Sequence, residues 1–261
     1  MYMQYLLCAL REVWSLLWEI PVPDFALDGV RLQRRTLTFY LAAVFPLFGV
    51  MVWLGLVILG AVAGILPGRI AAGMLFGVLA VFFLEILGGG TGLSSSSSFM
   101  EKLLGGEGLS RSIFTTESDI RVTRSPVGLM SMFFLLFLRG GSLGMLYAYH
   151  CTAWFGVVFV LSYALQAQLA FLPSLSSGEK IVDPGPFGSR ILWIVAGVAA
   201  LIFGCCSWWA VLVALAVAAA AAWGLHVFFR RTGGVTGVVI GSAGYVFETL
   251  LLLLGAGMLL R

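Results

Sequence analysis

Charge is what this sequence has least of. Its 261 residues include 15 lysines and arginines and 12 aspartates and glutamates, so charged residues make up 10% of the chain and the formal net charge is +3. Soluble domains carry about 25% charged residues, and nucleic-acid-binding domains concentrate basic ones on one face. Neither class fits, and no nucleic-acid partner is expected. Histidine is nearly missing: His150 and His226 each stand alone in apolar runs, where a hydrogen bond to a neighbouring helix is a more economical reading than metal ligation. The four cysteines, Cys8, Cys151, Cys205 and Cys206, have neither disulfide-framework nor metal-site spacing and read as small buried hydrophobes. No segment of 20 to 50 residues repeats.

What is abundant is apolar. Hydrophobic residues are 61% of the chain and the mean hydropathy is +1.04, which predicts an all-α, polytopic membrane helix bundle formed by residues 1–261 as a single integral membrane domain. Seven stretches are long enough, or nearly so, to cross about 30 Å of hydrocarbon. They run from Thr38 to Leu66, Ile70 to Leu87, Pro126 to Ala148, Thr152 to Leu172, Arg190 to Cys206, Trp208 to Phe229 and Gly237 to Leu260. The fifth is short, and its junction with the sixth is the least sharp. Before them, Leu6, Leu7, Leu10, Val13, Trp14, Leu17 and Trp18 fall near helical spacing and predict an amphipathic helix at the membrane surface. Arg11 and Glu12 interrupt that run, so it does not read as a signal peptide.

Basic residues set the expected orientation. With the amino terminus in the cytoplasm, twelve of the fifteen fall on the cytoplasmic side, Arg69 and Arg261 on the other, and Arg139 within a span. A bacterial inner membrane is the expected location, and homo-oligomerisation is left open. The cytoplasmic side then receives the loop from 88 to 125, the Ser174 to Ser189 loop around Lys180, and the loop at Gly233. The first belongs to a break of about forty residues between Glu85 and Arg124, and loops of that size are usually functional or disordered. Its glycines from Gly88 to Gly108 and its serines from Ser94 to Ser98 have the composition of a flexible linker. A lid ordered by substrate and a disordered insertion both remain open.

Three further features carry chemistry. Arg230-Arg231 is followed by Thr232-Gly233-Gly234-Val235-Thr236-Gly237, with Gly241 and Gly244 beyond. Glycines and a hydroxyl opening a helix can bring backbone N–H groups to a phosphate, or simply let helices pack closely. Glu248 lies eleven residues past Gly237, or roughly 16 Å along a helix, and Arg139 lies thirteen past Pro126, or roughly 20 Å. Charges at such depth are normally paired, so Arg139 and Glu248 are expected to pair. Glu85, at the end of the second span, reads as a solvated helix end.

These motifs resemble the cobalamin-5'-phosphate synthase family, the adenosylcobinamide-GDP ribazoletransferases. Gly233-Gly234-x-Thr236-Gly237-x-x-x-Gly241, followed by Glu248, resembles that family's carboxy-terminal signature. Ile20-Pro21-Val22-Pro23 is similar to its amino-terminal Arg-Ile-Pro-Val-Pro, and Phe45-Pro46-Leu47-Phe48-Gly49 to its Phe-Pro-Leu-x-Gly. The resemblance implies a membrane transferase of cobalamin biosynthesis. A ribose hydroxyl of alpha-ribazole or its 5'-phosphate would attack the cobinamide-linked phosphorus of adenosylcobinamide-GDP, and GMP would leave. It also implies Mg2+, with Glu85 as a ligand, Glu85, Arg124 and Glu248 as catalytic residues, and Gly233, Gly234, Thr236 and Gly237 around the phosphates.

The chain departs from that pattern at the acids. Of the family's His-Leu-Asp-Gly-Leu-Ala-Asp-Thr-x-Asp-Gly, only the first acid has a counterpart, Glu85, while Gly89 and Gly92 occupy the other two positions. Val122-Thr123-Arg124 keeps the arginine of Asp-Ser-Arg and loses the acid. Val238 replaces the aspartate of Thr-Gly-Asp, and Tyr245 replaces the first of two glutamates in the last span. Glu101, Glu107, Glu117 and Asp119 are the other acids near enough to substitute. A non-catalytic relative that binds a corrinoid or nucleotide, or supports a partner enzyme, is therefore an alternative. A small transporter is another.

Overall fold

A computed structural model describes residues 6–11, 13, 34–90, 92–97, 126–174, 187–204 and 207–259. Arg124, the loop acids, the Ile20-Pro21-Val22-Pro23 motif, Lys180, Cys205 and Cys206 lie outside them. Among the described residues the structure is a bundle of helices with one isolated backbone bridge, between Ser174 and Val235.

The seven long helices are α1 (Arg34–Ala63), α2 (Arg69–Leu87), α3 (Pro126–Ala148), α4 (Ala153–Ala170), α5 (Gly188–Phe203), α6 (Trp208–Thr232) and α7 (Gly237–Leu259). Six are long and apolar enough to cross a membrane; α5, at 16 residues, is the shorter one. At about 1.5 Å per residue it spans roughly 24 Å. The expected spans thus reappear as helices, and the one expected to be short is short. Lipid-facing positions account for the exposed Ile58, Phe82, Phe137 and Trp223, since in a bilayer the apolar surface need not be hidden.

The bundle is organised around α4, which is buried along almost its whole length and packs against α1, α5, α6 and α7. Close approach depends on glycine. A Cβ on Gly49 of α1 would stand 2.5 Å from the Val160 nitrogen of α4, and one on Gly73 of α2 would stand 2.7 Å from the Gly144 oxygen of α3. Gly77 meets Gly140 in the same way one turn along, so α2 and α3 touch backbone to backbone. Phe45 and Phe48, on either side of Pro46, are fully buried. The amino-terminal helical segment inserts Ala9 and Val13 into the same core and leaves Arg11 exposed.

Three connections gather at one end of the bundle. Val235 N donates to Pro173 O at 2.8 Å, tying the turn before α7 to the end of α4. After α2, residues 92–97 form a short helix that returns against the bundle: Gly92 lies against the Tyr245 ring of α7, and Ser95 lies beside Gly241. Ser97 Oγ donates to Gly128 O of α3 at 2.8 Å. Here the structure differs from the linker reading. Leu93, Ser95, Ser96 and Ser97 are all buried, because small residues let a backbone pack against helices as well as let it flex, and Ser96 Oγ turns back to Gly92 O.

Candidate functional site: an ion cluster beneath the glycine–serine helix

Arg139 lies beside Gly140, at the place where α2 and α3 approach most closely. Helical side chains lean toward their own amino terminus, which carries the guanidinium toward the end bearing the 88–125 loop. There Nη1 donates to Glu85 Oε1 at 3.1 Å, and Nη2 donates to Glu248 Oε2. The ring of Tyr245, one turn before Glu248 on α7, sits 4.3 Å from the guanidinium carbon, a cation–π contact. From α4, Ser162 Oγ donates to Gly244 O at 3.1 Å and lies 3.3 Å from Glu248 Oε1. The expected pairing of Arg139 with Glu248 is present, and Glu85 joins it from a third helix.

Burial ranks the two acids. The side chains of Arg139 and Glu248 are 5% and 6% exposed and that of Glu85 is 20% exposed. Glu248 is fixed by Arg139 and Ser162 together, whereas Glu85 has one guanidinium contact and faces partly outward. Two carboxylates share one cation, so the cluster carries an excess of negative charge when both are ionised. Within the cluster, Arg139 Nε makes no hydrogen bond among the described residues, and the Tyr245 hydroxyl lies against Arg139 and Glu85.

The glycine turn does other work. Gly233 takes a left-handed φ of 98° at the end of α6 and Gly234 has φ 145°, conformations that favour glycine. The amides of Gly233 and Gly234 both donate to Phe229 O, and that of Val235 to Pro173 O, so two of the four residues expected around the phosphates have their amides engaged inside the protein. Thr236 is buried and its Oγ1 accepts from Val239 N at 3.4 Å, as a residue capping a helix does. Gly237 opens α7 and is exposed. The turn lies roughly 16 to 18 Å along α7 from Glu248, at the bundle end rather than in the ion cluster. Close packing accounts for Gly244, where a Cβ would stand 2.1 Å from Gln166 Nε2, whereas a Cβ on Gly241 would meet Ser95 at an ordinary 3.6 Å.

No family model, curated protein or solved structure matches the chain.

Mg2+ requires several oxygen donors around one point. Among the described residues no three of the His, Cys, Asp and Glu side chains gather in that way. Glu85, the expected ligand, and Glu248 both face a guanidinium, which would repel a dication. The described donors of this cluster do not fit Mg2+, and the loop acids Glu101, Glu107, Glu117 and Asp119 lie outside the described residues. His226 Nδ1 is buried without a partner among the described residues, so that atom lacks the expected interhelical bond. His150 is exposed at the turn after α3, with φ 61°. Cys8 and Cys151 are in no disulfide. Nothing in the sequence singles out Ser162, and it gives Tyr245 only as the replacement for a family glutamate and residues 92–97 only as linker or lid. The spacing Tyr245-x-x-Glu248 was the available signal, placing an aromatic ring and a carboxylate on one face of a helix.

Proposed function

We propose that this chain is a non-transferring relative of the cobalamin synthase group, one that binds a corrinoid nucleotide at the loop-bearing end of its bundle. The observation that carries this reading is the engagement of both surviving motif acids, Glu85 and Glu248, by Arg139. Carboxylates held this way are poor partners for a metal that must neutralise charge on a transferring phosphoryl group. The family resemblance suggests the ligand class, and the gathering of three connections at one end of the bundle supports that end as the binding face. By the bias of its basic residues that end faces the cytoplasm, in a bacterial inner membrane with the amino terminus inside.

Purified protein in liposomes, given adenosylcobinamide-GDP, alpha-ribazole and Mg2+, tests the reading. Saturable binding with no GMP release is the expected result; sustained Mg2+-dependent GMP release overturns it in favour of the transferase. That second reading is favoured by one observation, the half-buried Glu85 with its single guanidinium contact. If it holds, Glu85→Gln abolishes turnover. Flux of the ligand across the liposome wall, without release of GMP, identifies a transporter instead.

A further inference from the structure

The ion cluster is built on α2, α3, α4 and α7, and the ends of α5 and α6 come together elsewhere on the loop-bearing end of the bundle. Ser189 Oγ donates to Gln168 Oε1 of α4 at 2.7 Å, and Trp193 Nε1 donates to the same oxygen at 3.3 Å, which fixes the start of α5 beside the end of α4. The end of α6 is fixed there too, since Phe229 packs with Leu169, Ala170 and Leu172. Arg190, next to Ser189, and Arg230 and Arg231, next to Phe229, are all exposed. Guanidinium groups from two helices thus flank the same end of α4.

No acid among the described residues neutralises them. Glu85 and Glu248 are the acidic side chains in that set, and both face Arg139. Arg230 and Arg231 suit the carboxyl end of α6, where the helix dipole favours cations. Arg190 stands in the first turn of α5, where the dipole disfavours one, so helix stability does not explain it. Further into the bundle the outer surface is apolar. Roughly 6 to 12 Å along the helices from the arginines, α5 exposes Ile194 and Val198 and α6 exposes Trp223. With 22% of its length buried, α6 is the least enclosed of the six long spans, so this surface belongs to lipid.

We infer that Arg190, Arg230 and Arg231 form a docking surface for the headgroup of an anionic phospholipid, whose acyl chains lie along the exposed faces of α5 and α6. Charge complementarity supplies the discrimination. Any phospholipid can cover the apolar faces, but only an anionic one compensates the arginines, and near a membrane surface each arginine contributes about fivefold to such binding. The surface is separate from the ion cluster, and the inference does not depend on the corrinoid binding proposed above.

The test uses the full chain in detergent micelles doped with phosphatidylglycerol or with phosphatidylcholine of the same acyl chains, and native mass spectrometry counts the lipid retained. The unaltered protein is expected to retain phosphatidylglycerol in preference to phosphatidylcholine. Arg190→Gln and the double variant Arg230→Gln/Arg231→Gln should each lower that preference about fivefold or more. Arg190→Lys, which keeps the charge, should preserve it, as should Arg69→Gln, which removes an exposed arginine at the opposite end of the bundle. Unfolding temperatures in phosphatidylcholine alone, expected to be equal for all of these proteins, separate loss of lipid binding from loss of the fold. Equal retention of the two lipids by the unaltered protein, the outcome if Glu179 and Asp183 of the intervening loop occupy the arginines, overturns the inference. An equal loss of preference in Arg69→Gln overturns it in favour of a general effect of net charge, and a loss confined to the α6 double variant overturns the two-helix surface. Displacement of phosphatidylglycerol by inorganic phosphate at comparable concentration assigns the arginines to a soluble anion and overturns the lipid.

Discussion

At the scale of single residues, the decisive difference is between a charge that is shared and one that is exposed. Glu248 is buried against Arg139 and Ser162, while Glu85 keeps a fifth of its side chain exposed. Removing one partner of a buried ion pair is costly, about 3–5 kcal/mol, because the other is left without compensation. Arg139→Leu leaves two acids uncompensated and is expected to lower the unfolding temperature in detergent more than either single glutamate variant. Between those, Glu248→Gln should be the more damaging and Glu85→Gln the milder; equal effects would contradict the ranking by burial. The Arg139–Glu248 pair was legible because both residues lie deep in spans at similar computed depth. Glu85 was not placed with them. Its position near the end of α2 suggested a solvated helix end, and simple rise per residue ignores the length of an arginine side chain and its lean toward the helix start.

At the scale of elements, the helices were legible almost to the residue where punctuation is sharp. Pro126 opens α3 and Ala148 ends it as expected, and α2 ends at Leu87 before a glycine run. The glycine–serine segment was misread in part because its composition means different things in water and in a helix bundle. In water glycine and serine give flexibility. Between membrane helices they permit contact, as Gly73 and Gly77 do between α2 and α3. Two outcomes follow. Gly144→Leu should force α2 and α3 apart, destabilising the protein and moving Glu85 away from Arg139, which a loss of protection from protease digestion in detergent would report. Cysteines at positions 97 and 128 should form a disulfide readily under mild oxidation, because Ser97 Oγ already reaches Gly128 O; absence of the crosslink would mean that the short helix does not dock on α3. The sequence leaves the glycine turn between two readings; three of its amides tie it into the protein as a structural link.

At the scale of the whole molecule, α4 acts as a central post and the other helices surround it so that the connections after α2, α4 and α6 share one end. The class of fold followed from composition alone, as 61% hydrophobic residues leave little else for a chain to be. The side of the membrane proposed from the basic residues is open to test. Arg231 and Arg69 are both exposed, at the end of α6 and the start of α2. Single cysteines at those positions should react with an impermeant thiol reagent from opposite sides, position 69 in intact cells and position 231 only after permeabilisation.

The account as a whole depends on Arg139 and Glu248 being energetically coupled, which a double-mutant cycle measures directly. Unfolding free energies of the unaltered protein, Arg139→Leu, Glu248→Leu and the double variant, taken in the same detergent, give the coupling between the two positions. A coupling of about 2 kcal/mol or more, within the range seen for residues sharing an ion-pair network, is the predicted result, with the double variant no less stable than Arg139→Leu because it removes one of the two acids that loss of the arginine leaves uncompensated. Additive losses, with no coupling, would contradict it.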